Sequence, residues 1–459
     1  MIPLKHFFDS SKIPTSLMFN RYLICSLLCF LSLLIIIFIT RNYSFCCDAN
    51  YYLDTIEKYK NEGFDTKSIY TGYRAYLFPY LFSLIPFNLS EQLNIAGHVI
   101  NVYYCFTVGL FIIIEYLMLC LIWGNKHFII IYLSIFINPL ILVYVPYPIQ
   151  ESFIVLTIAL FFPLLLTSFR SNSWYLFTPL LGSLLGVLYM ARPSHVLFTL
   201  PAILVLYFPL RHCNLQKKTI ITILFLLPIF IFIAPQSLKM WRLYKTIKPY
   251  PNAQVLSLQL DGGTIYTKYG TNLSGSEQVG LAMPYWNPLA CTSHSENDRS
   301  MRDFSCKSEN IKYNNSITTE NLFKILIHTF NAVNYDVLQP YITTKSPRLF
   351  SLSQLLSMAI FFIGMYSTVR KWYFRNYDGL DLLWDGILFF TLAVTALIAV
   401  ETRFGLLATT VLSIRSIELF TEKISKQETF ALVYSTILFL AATSLLSIYV
   451  LSYSGALSV

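Results

Sequence analysis

A chain of 459 residues would ordinarily form two or three soluble domains, but its composition excludes that interpretation. Hydrophobic residues make up 55% of the chain and charged residues only 12%, about half the charged share of a typical globular protein. A soluble surface requires more charge than this. The sequence therefore predicts an all-α integral membrane protein, and nothing in it supports nucleic-acid binding.

Eleven stretches are apolar enough to cross a bilayer, for which a helix needs about 20 residues. The first follows a basic start and is predicted to be an uncleaved signal anchor. The predicted spans are 22–40, 93–123, 128–145, 152–169, 174–190, 195–209, 219–235, 347–368, 382–400, 404–420 and 430–451.

Lysines and arginines indicate the orientation, because they are enriched in the short cytoplasmic loops of membrane proteins. With the N-terminus inside, the inside segments hold thirteen of them, whereas the short outside loops hold only Arg192 and Arg403. We therefore interpret the net charge of +9 primarily as an indicator of membrane topology. We predict about 11 transmembrane helices with the N-terminus inside and the C-terminus outside.

This topology divides the chain into three parts. The N-terminal transmembrane module is 1–235, the long external loop is 236–346, and the C-terminal transmembrane module is 347–459. The first external loop, 41–92, is predicted to be the catalytic loop. It contains an apolar segment, 76–87, which is too short to cross and is predicted to be a re-entrant or interfacial helix.

The long external loop has loop composition in its middle, and we expect a helix near 320–334. The two large outside segments also contain cysteines, on the side of the membrane that is oxidising in most cells. The spacing of these cysteines leaves their disulfide pairing open. They are Cys46, Cys47, Cys291 and Cys306.

The first candidate site residues lie in the first external loop. Asp48 follows the first span and is either a functional acid or a solvated residue that stabilises a helix N-terminus. Arg74 follows Tyr73 and leads into the apolar segment. Its planar guanidinium suits a phosphate, although an interfacial anchor flanked by tyrosines has the same pattern.

Further candidates lie at the outside ends of later spans, where charge at membrane depth calls for a partner or a function. Arg192, in the sequence Ala-Arg-Pro, departs from the positive-inside trend, and this favours a phosphate partner. Glu401 and Arg403 indicate either a structural acid–base pair or a pair that binds sugar or phosphate. Glu151, at the outside end of its span, is a candidate of the same kind.

Three other features have simpler interpretations. Gly182 and Gly186 form a GxxxG motif, which is typical of close packing between spans. Asp378, Asp381 and Asp385 are predicted to be capping charges near a helix start on the inside. Glu115 lies within a span, where it is either part of an ion path or paired with a polar neighbour.

Glycine-rich phosphate loops, the nucleophile motif G-x-S-x-G, paired CxxC motifs and HExxH are all missing from the sequence. We therefore predict no cofactor, and no metal-binding pattern supports a divalent ion.

Four motifs resemble the GT-C superfamily of multi-pass glycosyltransferases. They are Asp-x-x-Tyr-Tyr at Asp48, Tyr-Arg-x-x-Leu-Phe-Pro-Tyr-Leu at Tyr73, Ala-Arg-Pro around Arg192, and a late Glu-x-Arg-Phe. Members of this superfamily, such as lipid A aminoarabinose transferases and protein mannosyltransferases, use polyprenyl-phosphate sugars. The resemblance implies that Asp48 is the catalytic base and that Arg74 contacts the donor phosphate. Two departures from the family are the Ala-Asn pair after Asp48, where a second acid is common, and Ala75, where proline is common.

The predicted function is the inverting transfer of one sugar from a polyprenyl-phosphate donor to an envelope glycan, lipid or protein. Asp48 would act as general base, and preorganised arginines would stabilise the phosphate that leaves. The predicted partners are the donor, the acceptor and membrane lipids. The predicted location is the bacterial inner membrane with a periplasmic site, as in O-antigen modification of lipopolysaccharide. The predicted substrate-binding residues are Tyr52, Tyr73, Arg74, Glu151, Arg192, Glu401 and Arg403.

Two alternatives remain open. An O-antigen polymerase also has many spans and a large external loop with arginines, here Arg242, Arg299 and Arg302. A transporter or lipid flippase would place ionisable residues near the membrane midplane and would contain repeated halves, and only Glu115 meets the first condition.

Overall fold

The structure, a computed structural model, is predominantly helical, and its described strands form two small antiparallel hairpins. It describes residues 15–40, 48–63, 75–95, 98–170, 174–192, 214–245, 247, 266–270, 283–286, 325–326, 328–329, 332–333, 352–374, 379–397, 405–422 and 424–453.

In the N-terminal half the elements are α1 (Thr15–Thr40), α2 (Asp48–Glu62), α3 (Leu77–Ser83), β1 (Gln92–Ile95), β2 (His98–Asn101), α4 (Val102–Ile122), α5 (Phe128–Ile131), a π-helix (Tyr132–Phe136), α6 (Pro139–Leu142), α7 (Gln150–Arg170), α8 (Trp174–Ala191) and α9 (Leu215–Tyr244). They are followed by β3 (Tyr266–Gly270), β4 (Met283–Trp286), α10 (Leu352–Tyr373), α11 (Gly379–Leu397), α12 (Leu406–Thr421) and α13 (Lys426–Tyr453).

Five of the described helices are long and apolar enough to cross a membrane, which agrees with an all-α membrane protein. Helix α8 contributes a shorter apolar stretch, Phe177–Ala191. The five candidate spans are Asn20–Thr40, Val102–Ile122, Gln150–Thr167, Leu215–Arg242 and Lys426–Leu445.

The predicted span 93–123 begins later than the sequence suggested. Its first residues form the hairpin β1–β2, in which Gln92 pairs with Asn101, and α4 begins only at Val102. Polar and apolar residues alternate in β1, a period that favours a strand. Asn101 then caps α4, because its side-chain oxygen accepts a hydrogen bond of 2.7 Å from the Tyr103 amide.

The predicted span 128–145 is also not one continuous helix. Helix α5 passes into the π-helix, and the chain turns at Asn138 before the short α6. Pro139 at the first position of α6 lacks an amide donor and so cannot continue the preceding helix. The Asn138 amide bonds Ser134 O at 3.1 Å and Ser413 Oγ at 2.9 Å, which fills the break with buried polar contacts.

Helix α9 runs nine residues beyond the predicted span end at 235, so segment 236–346, the predicted long external loop, is helical where it starts. Two prolines within α9, Pro228 and Pro235, do not end it. The helix stops at Tyr244, and Lys245 takes a left-handed conformation with φ of 55°. The predicted helix near 320–334 agrees with the described residues of that segment, which are helical at 325–326, 328–329 and 332–333.

Helices α8 and α9 run parallel and pack closely through the GxxxG motif, as predicted. A Cβ added at Gly182 would lie 2.1 Å from Phe225 O, and one added at Gly186 would lie 3.2 Å from Ile229 Cα. Only glycine permits this approach of the two backbones.

Helices α1 and α4 run antiparallel and define the two ends of the bundle. At one end the Arg21 guanidinium donates to Cys120 O, and at the other the Thr40 and Tyr104 hydroxyls lie 2.9 Å apart. We call this second end, where α4 and α7 begin and α8 ends, the Arg192 end. The opposite end is called the Arg415 end.

Candidate functional site

Three consecutive side chains at the start of α7 connect three other parts of the chain at the Arg192 end. Gln150 bonds α2, Glu151 pairs with the residue that follows α8, and Ser152 bonds α4. All three side chains are buried. Helix α7 begins here because Pro148 interrupts the preceding turns and leaves the next residues able to start a helix.

The bond to α2 joins the Tyr52 hydroxyl to Gln150 Oε1 over 2.9 Å. Tyr52 is 2% exposed and Gln150 is 8% exposed, so water has little access to this bond. The Tyr52 ring also packs edge-on against Phe78 of α3, with ring centroids 5.0 Å apart. Segment 41–92, the predicted first external loop, is thereby joined to the helix bundle at this point.

The ion pair of Glu151 and Arg192 is the centre of the cluster. The side chain of Glu151 is 0% exposed and that of Arg192 is 11% exposed. Arg192 immediately follows α8, and Pro193 disfavours helical geometry at the residue before it. The structure thus brings together three sequence-predicted site residues, Tyr52, Glu151 and Arg192.

The third connection is between the Ser152 and Tyr103 hydroxyls, which lie 2.7 Å apart. Phe82 of α3 stacks on the Tyr103 ring at 5.2 Å. Phe78 contacts Phe153 at 5.7 Å. The short apolar α3 therefore packs against α4 and α7, which agrees with the prediction of a helix in 76–87 that does not cross the membrane.

Tyrosines form a second layer beside this cluster. Tyr76 donates its amide to Gln236 Oε1 at 3.2 Å and its hydroxyl to Phe232 O at 3.0 Å, which joins α9 to the first external loop. Burial raises the pKa of Tyr76 to about 12, so the hydroxyl remains a donor at neutral pH. Tyr59 and Tyr80 pack edge-on at 5.8 Å.

The remaining predicted site residues are described only in part or not at all. Helix α2 begins at Asp48, which agrees with an acid at a helix N-terminus, but the Asp48 side chain lies outside the described residues. The backbone places Asp48 one helical turn before Tyr52, on the same face of α2. Four further candidates lie outside the described residues: Tyr73, Arg74, Glu401 and Arg403.

The segment that contains Glu401 and Arg403 is bordered by contacts with the long loop. His328 Nδ1 lies 3.2 Å from Ala396 O in α11. A Cβ at Gly405, just before α12, would lie 1.9 Å from Ala332 O. Part of the long loop is therefore packed against the end of α11 and the start of α12.

A buried ionic network at the Arg415 end was not predicted. Arg415 is 0% exposed and donates to Asp381, to Glu418 Oε2 at 3.0 Å and to Asp385 Oδ1 at 2.8 Å. Lys371 Nζ joins the network at 2.9 Å from Asp381 and 3.0 Å from Glu418. Asp381 lies in the first turn of α11, which agrees with a charge near a helix start, whereas Asp385 lies beyond that turn. Both are also ion-pair partners in the interior, which was not predicted. Asp378 lies outside the described residues.

Two signals in the sequence could have revealed this network. Arg415 lies within a predicted apolar span, where a charge requires a partner. Asp381 and Asp385 are four residues apart on α11, so they share one helix face. The network joins α10, α11 and α12 but contacts none of the predicted site residues that the structure describes.

Glu115 also has a partner. Ser32 donates a hydrogen bond of 2.6 Å to Glu115 Oε1, and both residues are buried between α1 and α4. This agrees with the interpretation of Glu115 as a carboxylate paired with a polar neighbour.

Across the described part of the chain, no group of three or more His, Cys, Asp or Glu side chains could hold a metal ion. The four cysteines considered for disulfides lie outside that part.

No protein-family model, curated protein or solved structure matches this chain.

Proposed function

We propose that this protein is a membrane glycosyltransferase that moves one sugar from a polyprenyl-phosphate donor to a glycan, lipid or protein acceptor. The observation that carries the proposal is the convergence at the Arg192 end. Helix α2, which begins at Asp48, is bonded to α7 beside the Glu151–Arg192 pair. An acid in the first external loop and a largely buried arginine are the groups that this reaction needs.

The chemistry is a single displacement. Asp48 accepts the proton of the acceptor hydroxyl, whose oxygen attacks the anomeric carbon of the donor sugar. The bond between that carbon and the phosphate oxygen breaks, and the polyprenyl phosphate leaves with the electron pair. One displacement without a covalent intermediate inverts the anomeric centre.

Arg192 is suited to the phosphate that leaves. A guanidinium presents a planar set of donors that matches phosphate geometry, and it stays charged at any physiological pH. Glu151 orients the guanidinium, so little reorganisation is needed as negative charge develops. Arg74, Arg403, Tyr73 and Glu401 would complete this binding site.

The proposed topology has eleven spans, with the N-terminus and the Arg415 end inside and the C-terminus outside. The antiparallel pair α1 and α4 and the parallel pair α8 and α9 support this arrangement. In a bacterium the Arg192 end would then face the periplasm, where polyprenyl-linked sugars meet envelope glycans.

The test is the mass of envelope glycans from cells that carry the wild type, Asp48→Asn or an empty vector. We expect a single-sugar mass increment with the wild type and none with Asp48→Asn. Asp54→Asn is the matched control, because Asp54 is an exposed acid on the same helix and should retain the increment. Altered glycan chain length would instead identify a polymerase, and equal activity of Asp48→Asn would exclude Asp48 as the base.

A further inference from the structure

We propose that Tyr52 and Gln150 are positioning residues, which set the location of Asp48 relative to the Glu151–Arg192 pair. The proposal rests on the proposed glycosyl transfer and adds two residues to it. Tyr52 was expected to bind substrate directly. Its hydroxyl is instead directed at Gln150 in the interior, which gives it a different role.

The geometry of α2 couples the Tyr52–Gln150 hydrogen bond to the position of Asp48. Asp48 and Tyr52 are four residues apart, so they lie about 6 Å apart along the helix axis and on one face. On the other side of the bond, Gln150 directly precedes Glu151 in α7. A hydrogen bond of 2.9 Å thus joins the helix that begins with the acid to the residue next to the ion pair.

The bond can be removed without removing the packing around it. The Tyr52 ring is held by Phe78 at 5.0 Å and by Tyr51 at 6.1 Å, and phenylalanine would keep both contacts. Tyr52→Phe therefore removes the hydroxyl that donates to Gln150 and keeps the ring. Gln150→Met deletes the acceptor and keeps a side chain of similar length.

We expect each variant to lower kcat by about 10- to 100-fold, because a displacement of about 1 Å at a reacting group has an effect of that size. The KM for the donor should not change, since Arg192 is untouched. The double variant Tyr52→Phe/Gln150→Met should be no slower than either single variant, because both remove the same bond.

Tyr51→Phe is the matched control. Tyr51 is the neighbouring residue on the same helix and is 41% exposed, and the substitution removes the same hydroxyl. Rates are measured in membranes with polyprenyl phosphate that carries the sugar identified by the glycan mass increment. Hydrogen exchange of residues 48–63 is measured on the same preparations. Tyr52→Phe and Gln150→Met should accelerate this exchange, whereas Tyr51→Phe should not.

The two measurements separate failure of this proposal from failure of the proposed function. If the wild type transfers sugar and Tyr52→Phe retains its kcat, the positioning role is excluded. Unchanged hydrogen exchange in both variants would show that the bond does not hold α2. A raised KM with normal kcat would assign Tyr52 to substrate binding instead. A wild type that transfers no sugar would overturn the proposed function, and it would also exclude a catalytic role for the Tyr52–Gln150 bond.

Discussion

Glu151 at the start of α7 and Arg192 at the end of α8 form an ion pair whose side chains are 0% and 11% exposed. A buried pair contributes little net stability, because the desolvation of both charges offsets their attraction. Removal of one partner is nevertheless costly, since the other charge then loses its ion pair while it stays in the interior. This asymmetry allows the structural and functional contributions of Arg192 to be separated.

Glu151→Met should lower the free energy of unfolding by about 3 kcal/mol, because it leaves the Arg192 charge without the Glu151 carboxylate. The double variant Glu151→Met/Arg192→Met should recover most of that loss, since neither charge remains. It should still transfer no sugar, because the proposed phosphate ligand is absent. Thermal unfolding in detergent and glycan mass test the two statements. Sugar transfer by the double variant would exclude Arg192 from phosphate binding.

Arg415→Met should destabilise the protein by about 3 to 5 kcal/mol, because it removes the guanidinium that pairs with three buried carboxylates. Arg242→Met is the control, since Arg242 is exposed in the last turn of α9 and should change stability by less than about 0.5 kcal/mol. Thermal unfolding measures both variants. Equal stability of Arg415→Met and Arg242→Met would contradict a structural role for the network.

Composition and motif spacing predicted the helical membrane character, the packing role of Gly182 and Gly186, and a short helix in 76–87. These features depend on local sequence, such as a GxxxG repeat or the length of an apolar run. The hairpin at Gln92–Asn101 was not predicted, because hydropathy averaged over a window centred on α4 does not show the alternation of polar and apolar residues in β1. The break at Asn138 depends on one proline within an apolar stretch.

The contacts that build the candidate site could not be predicted from the sequence. Gln150 and its partner Tyr52 are 98 residues apart in the chain, and no local pattern identifies such a pair. In a membrane protein the lipid-facing and buried faces of a helix are similarly apolar, so periodicity does not reveal which face meets a neighbour. A charge in an apolar run, such as Arg415, does indicate a buried partner but does not identify it.

Gly182→Ala should destabilise the α8–α9 contact by about 1 to 3 kcal/mol, the usual range for overpacking. The new Cβ would lie 2.1 Å from Phe225 O, and a backbone oxygen cannot move aside as a side chain can. Gly109→Ala is the matched control, because nothing lies within 4 Å of a Cβ at that position in α4. We expect Gly109→Ala to unfold at the wild-type temperature or slightly above it. If Gly182→Ala and Gly109→Ala unfolded at the same temperature, the close approach of α8 and α9 would be excluded.

Glu115→Gln should retain both stability and sugar transfer. The glutamine oxygen can accept the Ser32 hydrogen bond that Glu115 Oε1 accepts at 2.6 Å, and an amide costs less to bury than a carboxylate. Glu115→Leu should be less stable by about 1 kcal/mol, because the buried Ser32 hydroxyl would lose its side-chain acceptor. Glycan mass and thermal unfolding measure these effects. A transporter that moves protons or cations through Glu115 would instead lose activity in Glu115→Gln, since an amide cannot exchange a proton or hold an ion by charge.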